Sequence, residues 1–267
     1  MALSIVEKLR NQLSTPIGHA LLENREDDSY IAAFPRSGST WLRTILVNIL
    51  DPSAKSNPDV FNARIPAVSI RNAKLINALE SPRVIMTHSN WRPSINRAVY
   101  LVRDGRDAFV SSYHYHVTRQ GIELTIDDYY ERYINGVYGQ TWEDHVHTWL
   151  EKGMVRLDSN FMLIRFEDLK ADTFECVKGI CDYLNIVCDA GEIERSIEEA
   201  SLDKAKSIER SRQGEITNNN ASFYRSGGTA QWKNQNTKPL LRSLKSTRRE
   251  RFHWRVIDCP NYFDLSI

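Results

Sequence analysis

The chain has 267 residues and a formal net charge of +1, from 35 Lys+Arg against 34 Asp+Glu. So close a balance argues against a protein built on bulk nucleic-acid binding, which carries a large basic excess. Charged residues at 26% and apolar residues at 41% exclude disorder as the overall state. A chain this long buries roughly three quarters of its unfolded surface, so one core suffices and a single domain over 1–267 is expected.

No stretch approaches the ~20 apolar residues that span a bilayer. The best, 41–50, is short and carries Arg43 and Asn48. The first ten residues place charges where a secretory segment would be continuously apolar, so a cytoplasmic protein without membrane attachment is expected. Cys176, Cys181, Cys188 and Cys259 form no CxxC pair, and no Cys/His group has zinc-finger spacing. Buried free thiols are the expectation, and no metal.

Residues 1–27 read as a lead-in, with Leu3, Val6, Leu9 and Leu13 at helical spacing. YIAAF (30–34) is a short apolar run stopped by Pro35, which predicts a buried strand. A helix follows at 40–50, with Trp41, Ile45 and Ile49 on one face. The Pro/Ser/Asn-rich segment 51–69 reads as loop, then 70–79 as helix. Strands are predicted at 83–87, 97–102 and 161–166. Helices are predicted at 106–118, 126–137, 142–151, 172–184 and 190–199. This alternation predicts an α/β fold with a mostly parallel sheet covered by helices on both faces. The segment 211–237 is long, polar and rich in Gly and Asn, and the basic 242–251 reads as a solvated helix face.

Four patches carry chemistry. FPRSGSTW (34–41) joins a strand to a helix. Gly38 permits a tight turn, loop amides and the helix N-terminus favour an anion, and Ser37, Ser39 and Thr40 offer hydroxyls. Arg36 adds a planar fork suited to phosphate or sulfate oxygens. This is a P-loop-like turn, but not the triphosphate loop GxxxxGK[ST], whose second Gly and Lys are missing, as is the usual Mg²⁺ anchor. In YLVRDGRDAFVSSY (100–113), Arg103, Arg106 and Ser111 either meet a second phosphate, or the Arg and Asp residues pair among themselves on the surface. In FYRSGGTAQWKN (223–234), Gly227 and Gly228 allow either close approach of a ligand or a plain flexible turn. Finally, His88 directly follows the strand at 83–87, where ligands gather in parallel sheets, though a single His is more often structural. The pairs His114/His116 and His145/His147 are two apart and face different sides of a helix, a poor metal geometry.

Together these patches resemble the cytosolic-type sulfotransferases, which move a sulfuryl group from 3′-phosphoadenosine 5′-phosphosulfate (PAPS) to an acceptor. FPRSGSTW is similar to the family's YPKSGTTW loop, and YLVRDGRDAFVSSYHY to its 3′-phosphate motif. FYRSGGTAQWKNQNT is similar to its third motif, F-x-R-K-G-x-x-G-D-W-K-N-x-F-T. WEDHVHTWLEKG (142–153) and RFEDLKADT (165–173) also resemble family sequence, so the likeness runs in order across about 28–237.

The resemblance implies a single domain with a sheet of about five strands. It places Arg36, Ser37, Gly38, Ser39, Thr40 and Trp41 around the 5′ end of the donor. It gives the 3′-phosphate to Arg103 and Ser111, with help from Arg225, Ser226 and Gly227 in the third motif. Phe166 stands where the family has an adenine-contacting Tyr, and His88 on the catalytic His of its K-T-H motif. PAPS is then the co-substrate, PAP the product, and a small molecule with a hydroxyl or amine the acceptor. The departures are Arg36 for a Lys, Met86 for the Lys before the catalytic His, Ser226 for a Lys, and Leu202 near an expected aromatic. The family's C-terminal dimer pattern is not visible in 238–267, which leaves the oligomeric state open.

The chemistry is consistent with those residues. The acceptor must lose a proton, which neutral His88 suits. Charge grows on the leaving phosphate, which Arg36 and the loop amides oppose. A small-molecule kinase and a PAPS-binding protein without turnover are the competing readings. Acceptor walls are expected from 51–70, 88–96, 114–141 and 203–222. There Asp127, Asp128, Glu131, Glu143 and Asp144 either meet a polar or cationic acceptor or form a solvated acidic helix face.

Overall fold

The computed structural model describes residues 15–119, 121–211 and 224–234. The amphipathic start at 1–14, Cys259, the basic stretch 242–251 and the absent dimer pattern lie outside the described residues.

Four strands form one parallel sheet among the described residues: β1 (Ser29–Ala33), β2 (Val84–Thr87), β3 (Ala98–Val102) and β4 (Phe161–Arg165). Their spatial order is β2-β1-β3-β4. The expected count was about five; beside β2 there is instead a single bridge, Ala67 to Met86, too short to make a strand. Pro66 explains part of this, since it has no amide to donate and only its carbonyl serves Met86 N, at 2.9 Å.

β1 is buried along its whole length, with Ser29 paired to Val84 on one side and Tyr30 to Ala98 on the other. Alternate residues point to opposite faces. Ile31, Ala33, Val99 and Leu101 face one apolar layer, Tyr30, Ala32, Ala98 and Tyr100 the other. The first layer is closed by α1 (Ser39–Leu50), through Leu42, Ile45, Leu46 and Ile49. Fully burying each such side chain contributes roughly 1.5–3 kcal/mol. The second layer is closed by Trp142, Val146 and Trp149, with Tyr100 stacked on Trp149 at 5.2 Å.

The segment 51–69, read as loop, contains a 3₁₀ turn (Pro52–Ala54) and α2 (Pro58–Arg64). Each begins with a proline, whose missing amide costs nothing at a first helical position. Next come α3 (Ala73–Ala78), α4 (Gly105–His114), α5 (Ile126–Ile134) and α6 (Trp142–His147). α4 and α6 run on into π-helical stretches, Tyr115–Arg119 and Thr148–Gly153, within the spans predicted as simple helix. After β4 come α7 (Phe166–Ala171), α8 (Thr173–Leu184), α9 (Ala190–Glu199) and α10 (Leu202–Ser211).

β2 is fixed at its start by a buried ion pair. Arg83 donates to both oxygens of Asp28 at 2.6 and 2.5 Å, and to the carbonyls of Ile76 and Glu23. Every polar atom so satisfied offsets the cost of burying the pair.

Candidate active site

The sheet order places β1 between β2 and β3, so the chain leaves β1 to one side and later returns on the other. The crevice beyond the carboxyl ends at such a switch point is where ligands bind. All four strand ends deliver site residues there: the loop 34–41 after β1, His88 after β2, Arg103 after β3 and Phe166 after β4. They line a cavity of about 820 Å³.

The loop after β1 is shaped by two residues with positive φ, Arg36 at 70° and Gly38 at 95°. A side chain at 38 is excluded twice over, by that φ and by the Phe166 ring, which would lie 2.4 Å from a Cβ. Gly38 caps α1, directing the first-turn amides toward the cavity. Arg36, Ser39, Thr40 and Trp41 line the cavity with Gly38. Ser37 does not line it; its side chain is fully buried and its hydroxyl has no partner.

Arg36 Nε donates to Ser111 Oγ at 3.2 Å, and its guanidinium stacks on Tyr115 at 4.8 Å. Two residues seventy-five apart in sequence are thus joined at one spot. Arg103 is buried and donates from Nη1 to Arg36 O at 2.9 Å and from Nη2 to Gly228 O at 2.8 Å. Its face lies over Phe166 at 4.4 Å, and its Nε has no partner. Asp107 stands 4.0 Å from Arg103. At that distance burial outweighs the pairing, pushing the carboxyl of Asp107 up and the guanidinium of Arg103 down.

Within 100–113 Arg and Asp stand together at Arg106 with Asp104 and, at 4.0 Å, at Arg103 with Asp107, and both arginines are buried. Arg106 does pair with its neighbour, Nε to Asp104 Oδ1 at 2.9 Å, while Arg103 turns inward. Arg106 also lies over Trp232 at 3.8 Å, and Trp232 N donates to Asp107 at 3.1 Å. These contacts seat the third motif on α4. Arg225, Ser226 and Gly227 reach the same cavity, with Ser226 donating to Gln231 at 2.8 Å and Gly227 at φ 56°. Burial lowers the proton affinity of Arg225.

His88 also lines the cavity. Its Nδ1 lies 2.7 Å from Ala33 O. A carbonyl only accepts, so Nδ1 carries the proton and Nε2 keeps its lone pair. Burial is the main cause lowering the His88 pKa; the Ala33 bond opposes it, and Arg43 and Arg36 add to it. Met86, by contrast, is buried in the apolar layer of β2 and brings no charge. The strand end around His88 is tied by His19, whose Nε2 is 2.8 Å from Thr87 Oγ1 and 3.0 Å from Ser89 Oγ.

Several lining residues were not singled out from the sequence, two of them inside the motif-like stretches 100–115 and 165–173. Tyr115 follows α4, Phe61 comes from α2, and Lys170 lies over Trp41 at 4.9 Å. Leu202, noted as a departure, does face the cavity. Of the acids of α5, Asp128 serves the helix start, where Thr125 caps through Asp128 N and donates to the Asp128 carboxylate at 2.7 Å. Among the described residues no group of three or more His, Cys, Asp or Glu is placed to hold a metal, and no helix is long and apolar enough to cross a membrane.

A parallel sheet with a glycine-turned loop leading into a helix at its switch point is an architecture in which nucleotide phosphates are commonly bound. Residues 26–253 match the sulfotransferase domain, so this chain belongs to the sulfotransferase family and is a PAPS-dependent transferase. It is similar to sulfotransferase 1E1 of Mus musculus, at 28% identity over 91% of this chain and 88% of the relative. The fold resembles mouse sulfotransferase SULT7A1 complexed with PAP, at TM-score 0.70 and 22% identity, covering 92% of this chain and 94% of that one. It also resembles retinol dehydratase in complex with retinol and PAP, at TM-score 0.71 and 19% identity, covering 95% and 87%.

Proposed function

We propose that this protein transfers the sulfuryl group of PAPS to a hydroxyl or amine of a small-molecule acceptor in the cytoplasm, with His88 as the general base, and that one domain carries the whole activity. The observation that carries the reading is the bond from His88 Nδ1 to Ala33 O at 2.7 Å, on a ring that lines the cavity beside Arg36. It fixes the tautomer whose Nε2 takes a proton.

The residues fit the donor. Arg103 Nε is a buried polar atom without a partner beside an anion-type loop, and Gly38 lets that loop pass against the Phe166 ring, where any side chain would clash. Arg36, Gly38, Ser39, Thr40 and Trp41 line the cavity and hold the 5′ end in this reading, whereas the buried Ser37 side chain belongs to the loop without reaching the cavity. Arg103 and Ser111 hold the 3′-phosphate, joined by Arg225, Ser226 and Gly227, with PAP as the product. Phe166 and Trp41, edge to face at 6.2 Å, offer apolar faces to the base. When bound, PAPS supplies an activated sulfuryl group. Arg36 opposes the charge that develops on the leaving phosphate, and its fixed contacts to Ser111 and Tyr115 mean little reorganisation is needed. His88, neutral at pH 7 because burial lowers its pKa, removes the acceptor proton through Nε2.

The test is transfer of labelled sulfate from PAPS to a panel of phenols, alcohols and amines, with ATP as the control donor. Native protein is expected to label at least one acceptor from PAPS. His88→Ala is expected to lose about a hundredfold or more in kcat, the scale of a lost general base, while PAP affinity holds. Near-native turnover in His88→Ala would remove the base from the mechanism.

A further inference from the structure

We propose that Gln140 is a positioning residue for His88, holding the main chain of the turn that directly follows that residue's ring; the proposal rests on the reading of His88 as base. Gln140 Nε2 donates to the carbonyl of His88, and Asn90 N donates to Gln140 Oε1 at 3.1 Å. One planar carboxamide thus supplies a donor and an acceptor to two points of the turn carrying the base.

The other residues of that turn are held by different partners. Thr87 is tied to His19 at 2.8 Å, and the carbonyl of Ser89 accepts from Trp149 Nε1 at 3.0 Å. Trp91 N donates to Thr148 Oγ1 at 3.3 Å. Positions 88 and 90 are served by Gln140, so its loss loosens the base's own residue and leaves the ties at 87, 89 and 91 in place. Gln140 is itself firmly held. It follows a turn with Gly136 at φ 69° and Gly139 at φ 122°, in which a Cβ at 136 would meet Gly139 O at 2.8 Å. It precedes Thr141, the N-cap of α6, which accepts from Asp144 N at 3.0 Å.

The geometry matters because the ring is anchored at one end through Nδ1 to Ala33 O. If the main chain shifts, that bond bends and Nε2 moves relative to the acceptor. A misplacement of about 1 Å costs on the order of a hundredfold in rate. Among the described residues the hydrogen bonds of Gln140 go to positions 88 and 90 and it does not line the cavity, so donor affinity is expected to be unaffected.

The experiment compares Gln140→Ala, Gln140→Glu and His88→Ala in the full chain. Gln140→Glu keeps the shape and the bond from Asn90, but sets a carboxylate oxygen against the His88 carbonyl, so it decides the matter if Gln140→Ala fails to fold. For both Gln140 variants kcat is expected to fall about tenfold or more, with acceptor KM and PAP affinity within about twofold. Nitrogen NMR of His88 is expected to show one tautomer, Nδ1–H, in the native protein and a mixture in the variants. The proposal is overturned if kcat stays within about twofold of native in both variants, or if PAP affinity falls as far as kcat. If His88→Ala keeps turnover, the base reading fails and takes this one with it. If His88→Ala is dead while both Gln140 variants turn over normally with an unchanged spectrum, only the role of Gln140 is refuted.

Discussion

The two halves of the cavity are built from opposite materials. The half proposed for the donor gathers cations: Arg36, Arg103, Arg225 and Lys170 line it, and Arg106 buttresses the third motif over Trp232. Around the His88 side the imidazoles are kept neutral, His88 lining the cavity and the buried His19 and His145 lying outside its lining. His88 is lowered by burial, His19 to about 4 by burial and then Arg92, and His145 to about 3 by burial and then His88. An anion is held by fixed charge, whereas a proton is taken by a group that must arrive uncharged. One fold meets both needs by placing arginines after β1 and β3 and apolar packing around the end of β2.

The sharpest way to break this contrast on the donor side is Arg103→Ala. If Arg103 meets the 3′-phosphate, PAP should lose on the order of 2–3 kcal/mol, roughly 30- to 150-fold, and adenosine 5′-phosphate much less. Ser111→Ala should act in the same direction with a smaller loss. Calorimetry on both nucleotides separates the possibilities. Equal losses for the two would reduce Arg103 to a tie between the carbonyls of Arg36 and Gly228, the bonds it makes here.

Arg36→Lys probes the point where the halves meet. An ammonium keeps the charge but lacks the planar face that stacks on Tyr115 and the Nε that reaches Ser111. A slowing of at least about tenfold in kcat, ~1.4 kcal/mol, is expected, with PAP binding nearly intact. Native speed in this variant would show that charge alone suffices at position 36, and the contrast would then rest on Arg103 and the loop amides.

The donor half was far more legible in the sequence than the base half. A phosphate loop needs its glycine, hydroxyls and cation within a few residues, so 34–41 announces itself. The residues that bond His88 and the turn after it are scattered: Ala33, Gln140, His19 and Trp149 come from four distant segments. No local spacing links them. The alternation of strands and helices pointed to the parallel sheet, but Pro-initiated helices in 51–69 were hidden by their loop-like composition. The π-helical stretches after α4 and α6 were hidden because they keep helical periodicity. The acids of α5 were ambiguous for a physical reason, since a helix start and a cationic ligand both attract carboxylates.

The effect that tests the base half as a whole is on acid stability. His19 and His145 are buried with pKa values near 4 and 3, and His116 lies near 4, each lowered first by burial from an ordinary 6.5. Below 6.5 the unfolded chain takes up protons that the native state refuses, so stability must fall with pH from there to the folded values. Above 6.5 these groups contribute no slope. The limiting slope is about 1.4 kcal/mol per pH unit for each fully protected group, less for the partly exposed His116. Asp107 and Glu167 act against it in more acid solution, because burial raises them and the native state then binds their protons first. Urea midpoints measured from pH 8 to pH 5 should therefore be flat down to about 7 and decline below 6.5. His145→Gln, which can still accept from Tyr100 OH, should make the decline shallower. A native midpoint that does not move between pH 7 and 5 would mean that these imidazoles titrate normally, and the neutrality assigned to the base half would go with it.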